Sequence, residues 1–158
     1  MIPSDFIKKF SLSVIEATAG SNLFPSVKMA QMALESSWGS RHIANNYFGI
    51  KARGQKSPFW DGSAVDARTS EVINDNTLVQ ITDAFRAYKS VEDSIRDHSY
   101  FLRQNPRYAL AGVFESPTPE AQAKALQRAG YATDPLYAEK LISIIKTYKL
   151  ETLDQKKK

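Results

Sequence analysis

The chain has no cysteine and only two histidines, His42 and His98, in 158 residues. The first absence removes disulfides, thiol nucleophiles and thiolate metal sites. The second leaves too few imidazoles for a multi-histidine metal centre. No Gly-x-Ser-x-Gly elbow marks a serine hydrolase. No apolar run approaches the length needed to cross a bilayer. The N-terminal segment is amphipathic and carries Asp5, Lys8 and Lys9, so it does not read as a signal peptide. No internal repeat or break in composition points to a second domain. The expected organisation is one domain over residues 1–150, followed by a polar basic tail over 151–158.

What is present is the composition of a soluble globular protein: 42% hydrophobic, 24% charged, seven glycines and seven prolines. The length suffices for a real core. The net charge of +4 is mild, and three of the positive charges are Lys156, Lys157 and Lys158. Such a surface suits a polyanion, either nucleic acid or bacterial cell wall, without choosing between them. The basic residues are scattered rather than striped and match no nucleic-acid motif, so no nucleic-acid partner is expected.

The most informative stretch is Ala30-Gln31-Met32-Ala33-Leu34-Glu35-Ser36-Ser37-Trp38-Gly39. Val27, Ala30, Leu34 and Trp38 recur at helical spacing and make one apolar stripe. Glu35 falls one residue round from it, at the edge of an apolar surface where desolvation raises a carboxyl pKa. An acid that keeps its proton near neutral pH can protonate a leaving group. An ordinary half-exposed helix glutamate fits the same spacing. Gly39 offers a stop for the helix.

The rest of the chain reads as helices around one hairpin. Residues 4–19 form a first helix, with Ile7, Phe10, Val14 and Ala17 inward. Residues 41–62 lack periodicity but hold Asn45, Asn46, Tyr47, Phe48, Trp60 and several glycines. Rings beside amides suit a sugar groove; they also suit core filling over an irregular segment. Residues 64–88 alternate as a hairpin about Asn74-Asp75-Asn76, with Glu71 on the first strand as a solvent-facing carboxylate. Ser90-x-x-Asp93 opens a third helix. It contains His98, which reads as a packed or hydrogen-bonded residue. Tyr108 to Phe114 forms a short helix burying Leu110 and Val113. Thr118-Pro119-Glu120 opens another helix, closed by Gly130. Asp134-Pro135 opens the last, which carries Tyr137, Leu141, Ile144, Ile145 and Tyr148. From Glu151 the chain frays. The class is α+β, mostly helical. The element order places Glu35 and Glu71 on opposite sides of a cleft.

Five ordered segments then converge on one family. Ala33-Leu34-Glu35-Ser36-Ser37-Trp38-Gly39 and Asn45-Asn46-Tyr47-Phe48-Gly49-Ile50-Lys51 resemble the signature of bacterial N-acetylglucosaminidases that cut peptidoglycan, glycoside hydrolase family 73. Thr69-Ser70-Glu71, the segment from Ala84 to Ser90, and the segment from Gly130 to Leu141 agree in order and spacing. The resemblance covers about Asp5 to Tyr148. It implies a lysozyme-like fold whose small β-hairpin lobe borders a substrate groove, with residues 1–150 as the catalytic domain. It implies an endo-β-N-acetylglucosaminidase that hydrolyses the β-1,4 bond between N-acetylglucosamine and N-acetylmuramic acid. Glu35 matches the catalytic acid, Glu71 the hairpin carboxylate and Tyr131 a tyrosine of the active site. Asn46, Tyr47 and Phe48 match the groove segment, and Trp38, Trp60 and Tyr137 are further candidates for contact with substrate. The turn Asn74-Asp75-Asn76 stands where relatives often carry glycine. No cofactor is called for. The expected partner is the peptidoglycan glycan strand, met by a monomer without membrane insertion. The expected location is extracytoplasmic, inferred from the substrate. A lytic transglycosylase, a muramidase and a catalytically silent wall-binding module are the alternatives.

Overall fold

The computed structural model describes residues 1–54, 56–73 and 77–155; the side chains of Thr69 and of residues 71–73 also lie outside the described set. The expected turn at Asn74-Asp75-Asn76, the terminal Lys156-Lys157-Lys158 and the Glu71 side chain are therefore outside the description. The elements run α1 (Pro3–Thr18), α2 (Pro25–Ser36), β1 (Ala64–Ile73), β2 (Thr77–Arg86), α3 (Val91–Gln104), α4 (Pro106–Leu110), a 3₁₀ turn (Val113–Glu115), α5 (Pro119–Arg128), α6 (Tyr137–Thr147) and α7 (Glu151–Asp154). The chain is thus mostly helical with one two-stranded antiparallel sheet, as the sequence predicts.

Helix α2 is the axle of the helical lobe. Every residue from Pro25 to Ala33 is buried, and α1, α5, α6 and α7 pack around it. Its stripe is therefore wider than the spacing alone suggests, as expected for a helix enclosed on all sides. The core joins Phe6, Phe10 and Val14 of α1 to Val27, Met29, Ala30 and Met32 of α2, and to Leu126, Leu141 and Ile145 behind them. Burying a side chain of this size contributes about 1.5–3 kcal/mol.

The start of α2 is held by the far end of the chain. Pro25 occupies its first turn, and no side chain of its own segment caps it. Instead Asp154 accepts from the Ser26 backbone N–H at 2.8 Å and from the Ser26 hydroxyl at 2.6 Å. The expectation that the chain frays from Glu151 thus fails for Glu151–Asp154. These residues form α7, and Leu153 enters the core. One hydrophobic residue and one capping carboxylate outweigh the polar composition.

The end of α2 also differs from expectation. The helix stops at Ser36, and Ser37, Trp38 and Gly39 all adopt positive φ. The Trp38 N–H closes back onto the Ala33 carbonyl at 2.8 Å, in the manner of a Schellman turn. Trp38 therefore leaves the helical stripe. Its ring packs edge-on against Phe6 and Tyr148 instead. Gly39 lies under the Phe6 ring, where a Cβ would come within 3.4 Å.

The hairpin pairs Ala64 with Arg86 through to Ile73 with Thr77, which sets Glu71 opposite Val79. Its strands pack on each other, while the helices pack among themselves. The hairpin is moored at its base. Arg86 N–H donates to the Ile50 carbonyl at 3.0 Å and Ala52 N–H to the Ala84 carbonyl at 2.9 Å. Lys51 and Arg53 reach Asp83. Ser90 caps α3 by accepting from the Asp93 N–H, and Thr118 caps α5 in the same way. Leu110, expected in the core, is 87% exposed, whereas Val113 is buried. Helix α4 ends at Leu110 after five residues, and Gly112 turns the chain so that Val113 and Phe114 face inward.

Candidate active site

Glu35 sits on the last turn of α2, half-buried. Burial raises its carboxyl pKa from the ordinary 4.5 to about 7, and a hydrogen bond from the Tyr137 hydroxyl pulls in the opposite direction. The apolar-edge argument from the sequence thus describes its environment. The fold brings two tyrosines to it. Tyr137 opens α6, and Tyr131 stands on the turn after α5. Their rings stack with centroids 5.3 Å apart. Glu35, Tyr137 and Tyr108 all lie close enough to the Tyr131 phenol to push its pKa upward, beyond the larger effect of burial.

The tyrosines are themselves positioned. Gln31, one turn before Glu35, donates to the Tyr137 oxygen at 3.2 Å. With that lone pair engaged, the Tyr137 proton is directed to Glu35. Tyr131 meets His98 Nε2 at 2.7 Å, and His98 Nδ1 meets Lys28 Nζ at 2.6 Å. Lys28, Gln31 and Glu35 are spaced by three and four residues and so share one face of α2. That polar 28–31–35 spacing within an apolar helix is the signal that would have flagged Gln31 and Lys28, which the sequence reading passed over. His98 is buried and hydrogen-bonded, in keeping with the sequence reading.

The aromatic loop supports the site from behind. Asn46 is its organiser: Oδ1 accepts from the N–H groups of Phe48, Gly49 and Ile50, and Nδ2 donates to the Ile50 and Arg86 carbonyls. Tyr47 packs on Phe10 and stacks on His42. Phe48 stacks on His98 with centroids 4.1 Å apart. Trp60 donates to the Ser63 carbonyl and lies beneath the Arg86 guanidinium. Asn46, Tyr47, Phe48 and Trp60 are all nearly closed to solvent. In this structure their rings and the Asn46 amide are engaged within the protein. Tyr137 is equally buried and hydrogen-bonds Glu35. Trp38 stays half-exposed, just past the helix end that carries Glu35.

Beneath the hairpin lies a second buried cluster. Asp97 of α3 accepts from Arg86 at 2.8 Å, from the Tyr88 hydroxyl at 2.5 Å and from the Ser57 hydroxyl at 2.5 Å. It ties the aromatic loop, the hairpin base and α3 at one carboxylate. Among the described residues no three His, Asp or Glu side chains converge as a metal site.

What the arrangement can do chemically is donate a proton. The carboxyl is poised near neutrality and flanked by the Tyr131 and Tyr137 hydroxyls. The sequence profile described as mannosyl-glycoprotein endo-beta-N-acetylglucosaminidase matches residues 12–150. The peptidoglycan hydrolase FlgJ of Vibrio parahaemolyticus is 36% identical over 148 residues, covering 90% of this chain and 46% of that protein. The chain thus spans about half the length of such curated relatives. The catalytic domain of the autolysin Auto from Listeria monocytogenes superposes with a TM-score of 0.81 at 32% identity, covering 96% of this chain and 86% of the other. The glycoside hydrolase domain of Salmonella typhimurium FlgJ gives 0.76 at 36% identity, with 96% and 91% covered. With the profile spanning most of the chain and the fold shared throughout, this protein belongs to the glucosaminidase family of glycoside hydrolases.

Proposed function

We propose that this domain hydrolyses peptidoglycan at the β-1,4 bond between N-acetylglucosamine and N-acetylmuramic acid, within the strand, with Glu35 as the general acid. The observation that carries the reading is the carboxyl held near pKa 7 at the end of a buried helix, beside two tyrosines. The relatives named for peptidoglycan hydrolysis favour wall glycan over the glycoprotein of the profile's description. A wall substrate implies action outside the cytoplasm. No helix among the described residues is long and apolar enough to cross a membrane.

In this mechanism Glu35 gives its proton to the glycosidic oxygen as the C1–O bond breaks and C1 gains oxocarbenium character. The charge at C1 is met by the substrate's own 2-acetamido oxygen, with Tyr131 holding that group. Glu71, carried by β1, assists the water that completes hydrolysis and does not act as a nucleophile. Direct attack by Glu71, or inversion through a water it activates, are the competing routes. Trp38 borders the sugar beside Glu35.

The test is product analysis. Purified peptidoglycan is digested with the wild type and with Glu35→Gln, reduced with borohydride and analysed by mass spectrometry. Reduced N-acetylglucosamine ends from the wild type alone support the reading. Reduced muramic ends make the protein a muramidase, anhydro-muramic ends a lytic transglycosylase, and wall binding without new ends a silent module.

A further inference from the structure

Helix α2 carries a second ionisable residue that the acid chemistry does not use. Lys28 lies two turns before Glu35, and its side chain is fully buried. A lysine is rarely enclosed in this way without a partner that needs it. Its polar contact is His98 Nδ1 at 2.6 Å, and its Nζ lies 5.6 Å from the centre of the Phe48 ring. His98 is also fully buried, stacked flat on Phe48, and its second nitrogen meets the Tyr131 oxygen at 2.7 Å. The result is a continuous buried chain from α2 through α3 to the tyrosine beside Glu35.

Assigning the donors gives the chain a direction. Burial lowers the Lys28 pKa well below its ordinary value, but Nζ has N–H groups to donate in either protonation state, and it is assigned as the donor to Nδ1 of His98. The neutral imidazole then carries its proton on Nε2 and donates it to the Tyr131 oxygen. That occupies a lone pair of the phenol and leaves its own proton to point away from His98. Burial and the neighbouring Lys28 both push the His98 pKa well down, in keeping with a neutral ring.

We propose that Lys28 and His98 are positioning residues, which set the His98 tautomer and so hold the Tyr131 hydroxyl as a donor aimed at the sugar beside Glu35. This rests on the reading of Glu35 and Tyr131 given above. It adds two residues that never touch substrate.

Two measurements test it. The first is long-range ¹H–¹⁵N NMR of the histidine rings in the wild type, with His42→Gln removing the other set of signals. Neutral His98 protonated on Nε2 is expected; protonation on Nδ1 reverses the chain and overturns the proposal. The second is a kinetic cycle on peptidoglycan. Lys28→Met is expected to lower kcat by about tenfold, a hydrogen bond's worth, with KM within about twofold. Added to Tyr131→Phe, it is expected to cost nothing further. An unchanged kcat in Lys28→Met, or losses that multiply in the double variant, overturns the proposal. If the wild type releases no N-acetylglucosamine ends, the glucosaminidase reading falls, and the NMR result alone decides the direction of the chain.

Discussion

The Tyr137 hydroxyl donates to the Glu35 carboxyl, and Gln31 donates to Tyr137 from behind. This bond favours the ionised carboxylate and opposes the larger effect of burial. Tyr137→Phe removes it and leaves burial unopposed. The alkaline limb of kcat/KM, expected near pH 7 in the wild type, should move to higher pH in the variant. A pH–rate profile checks this. A limb that stays in place or moves down would separate Tyr137 from the acid.

The raised pKa of Glu35 also makes a prediction about stability. An unfolded carboxyl titrates near 4.5 and the folded one near 7. The folded state therefore binds the proton more tightly. The stabilisation that this supplies is complete below pH 4.5 and is lost as pH rises through 7. At pH 8 the ionised carboxylate costs the fold up to about 3 kcal/mol, at 1.36 kcal/mol per pKa unit. Glu35→Gln removes the titration. Its stability relative to wild type should rise by that order between pH 4.5 and 8 in urea unfolding, while activity is lost.

Asp97 neutralises Arg86 in a buried setting, with side chains 0% and 9% exposed. Asp97→Ala leaves the guanidinium unpaired and frees Tyr88 and Ser57 as well. Breaking a buried pair from one side costs about 3–5 kcal/mol. Thermal unfolding should show the loss. Because the cluster moors the hairpin base, amide exchange at Ile50, Ala52 and Arg86 should accelerate more than exchange in α1.

Asp154 caps a helix 128 residues away in sequence. Asp154→Ala should cost about 1 kcal/mol, the usual value of an N-cap. Truncation after Leu150 should cost more, since Leu153 leaves the core with it. The measurement is urea unfolding of the three chains. Unchanged midpoints would return Glu151–Asp154 to the role of a tail.

Gly39 has φ +89°, with Phe6 close above it. Gly39→Ala meets both the left-handed backbone and the ring. It should destabilise by about 1–2 kcal/mol and disturb the turn just after Glu35. Differential scanning calorimetry against the same change at Gly20, which also has positive φ but open space around it, separates the two costs.

Much of this fold is written locally. The serine and threonine caps at Ser90 and Thr118, the proline start at Pro119 and the alternation of β1 and β2 are short-range signals, and each appears where the pattern places it; Asp134-Pro135 instead forms a turn, and α6 begins at Tyr137. Glu35 is legible for the same reason, since a carboxylate beside an apolar stripe is a property of one helix. The resemblance supplied Tyr131. Burial from a distance is not local. Tyr47, Phe48 and Trp60 look like groove rings in the sequence, because nothing within their loop reveals that α1, His98 and Arg86 close over them. The capping of Ser26 by Asp154 and the pairing of Lys28 with His98 join residues 128 and 70 positions apart. Neither partner carries a mark of the other.

Helix α2 ends one residue after its acid. The peptide dipoles of a helix sum to a pole of about half a negative charge at the C-terminal end. Glu35 sits within the last turn, where that field is felt. A carboxylate there faces a charge of its own sign, whereas a carboxylic acid does not. The field therefore acts in the same direction as burial and helps the proton stay on. The left-handed run at Ser37, Trp38 and Gly39 thus fixes where the negative pole falls, as well as turning the chain. One more turn of helix would carry that pole about 5 Å further on and leave the acid with a weaker hold on its proton.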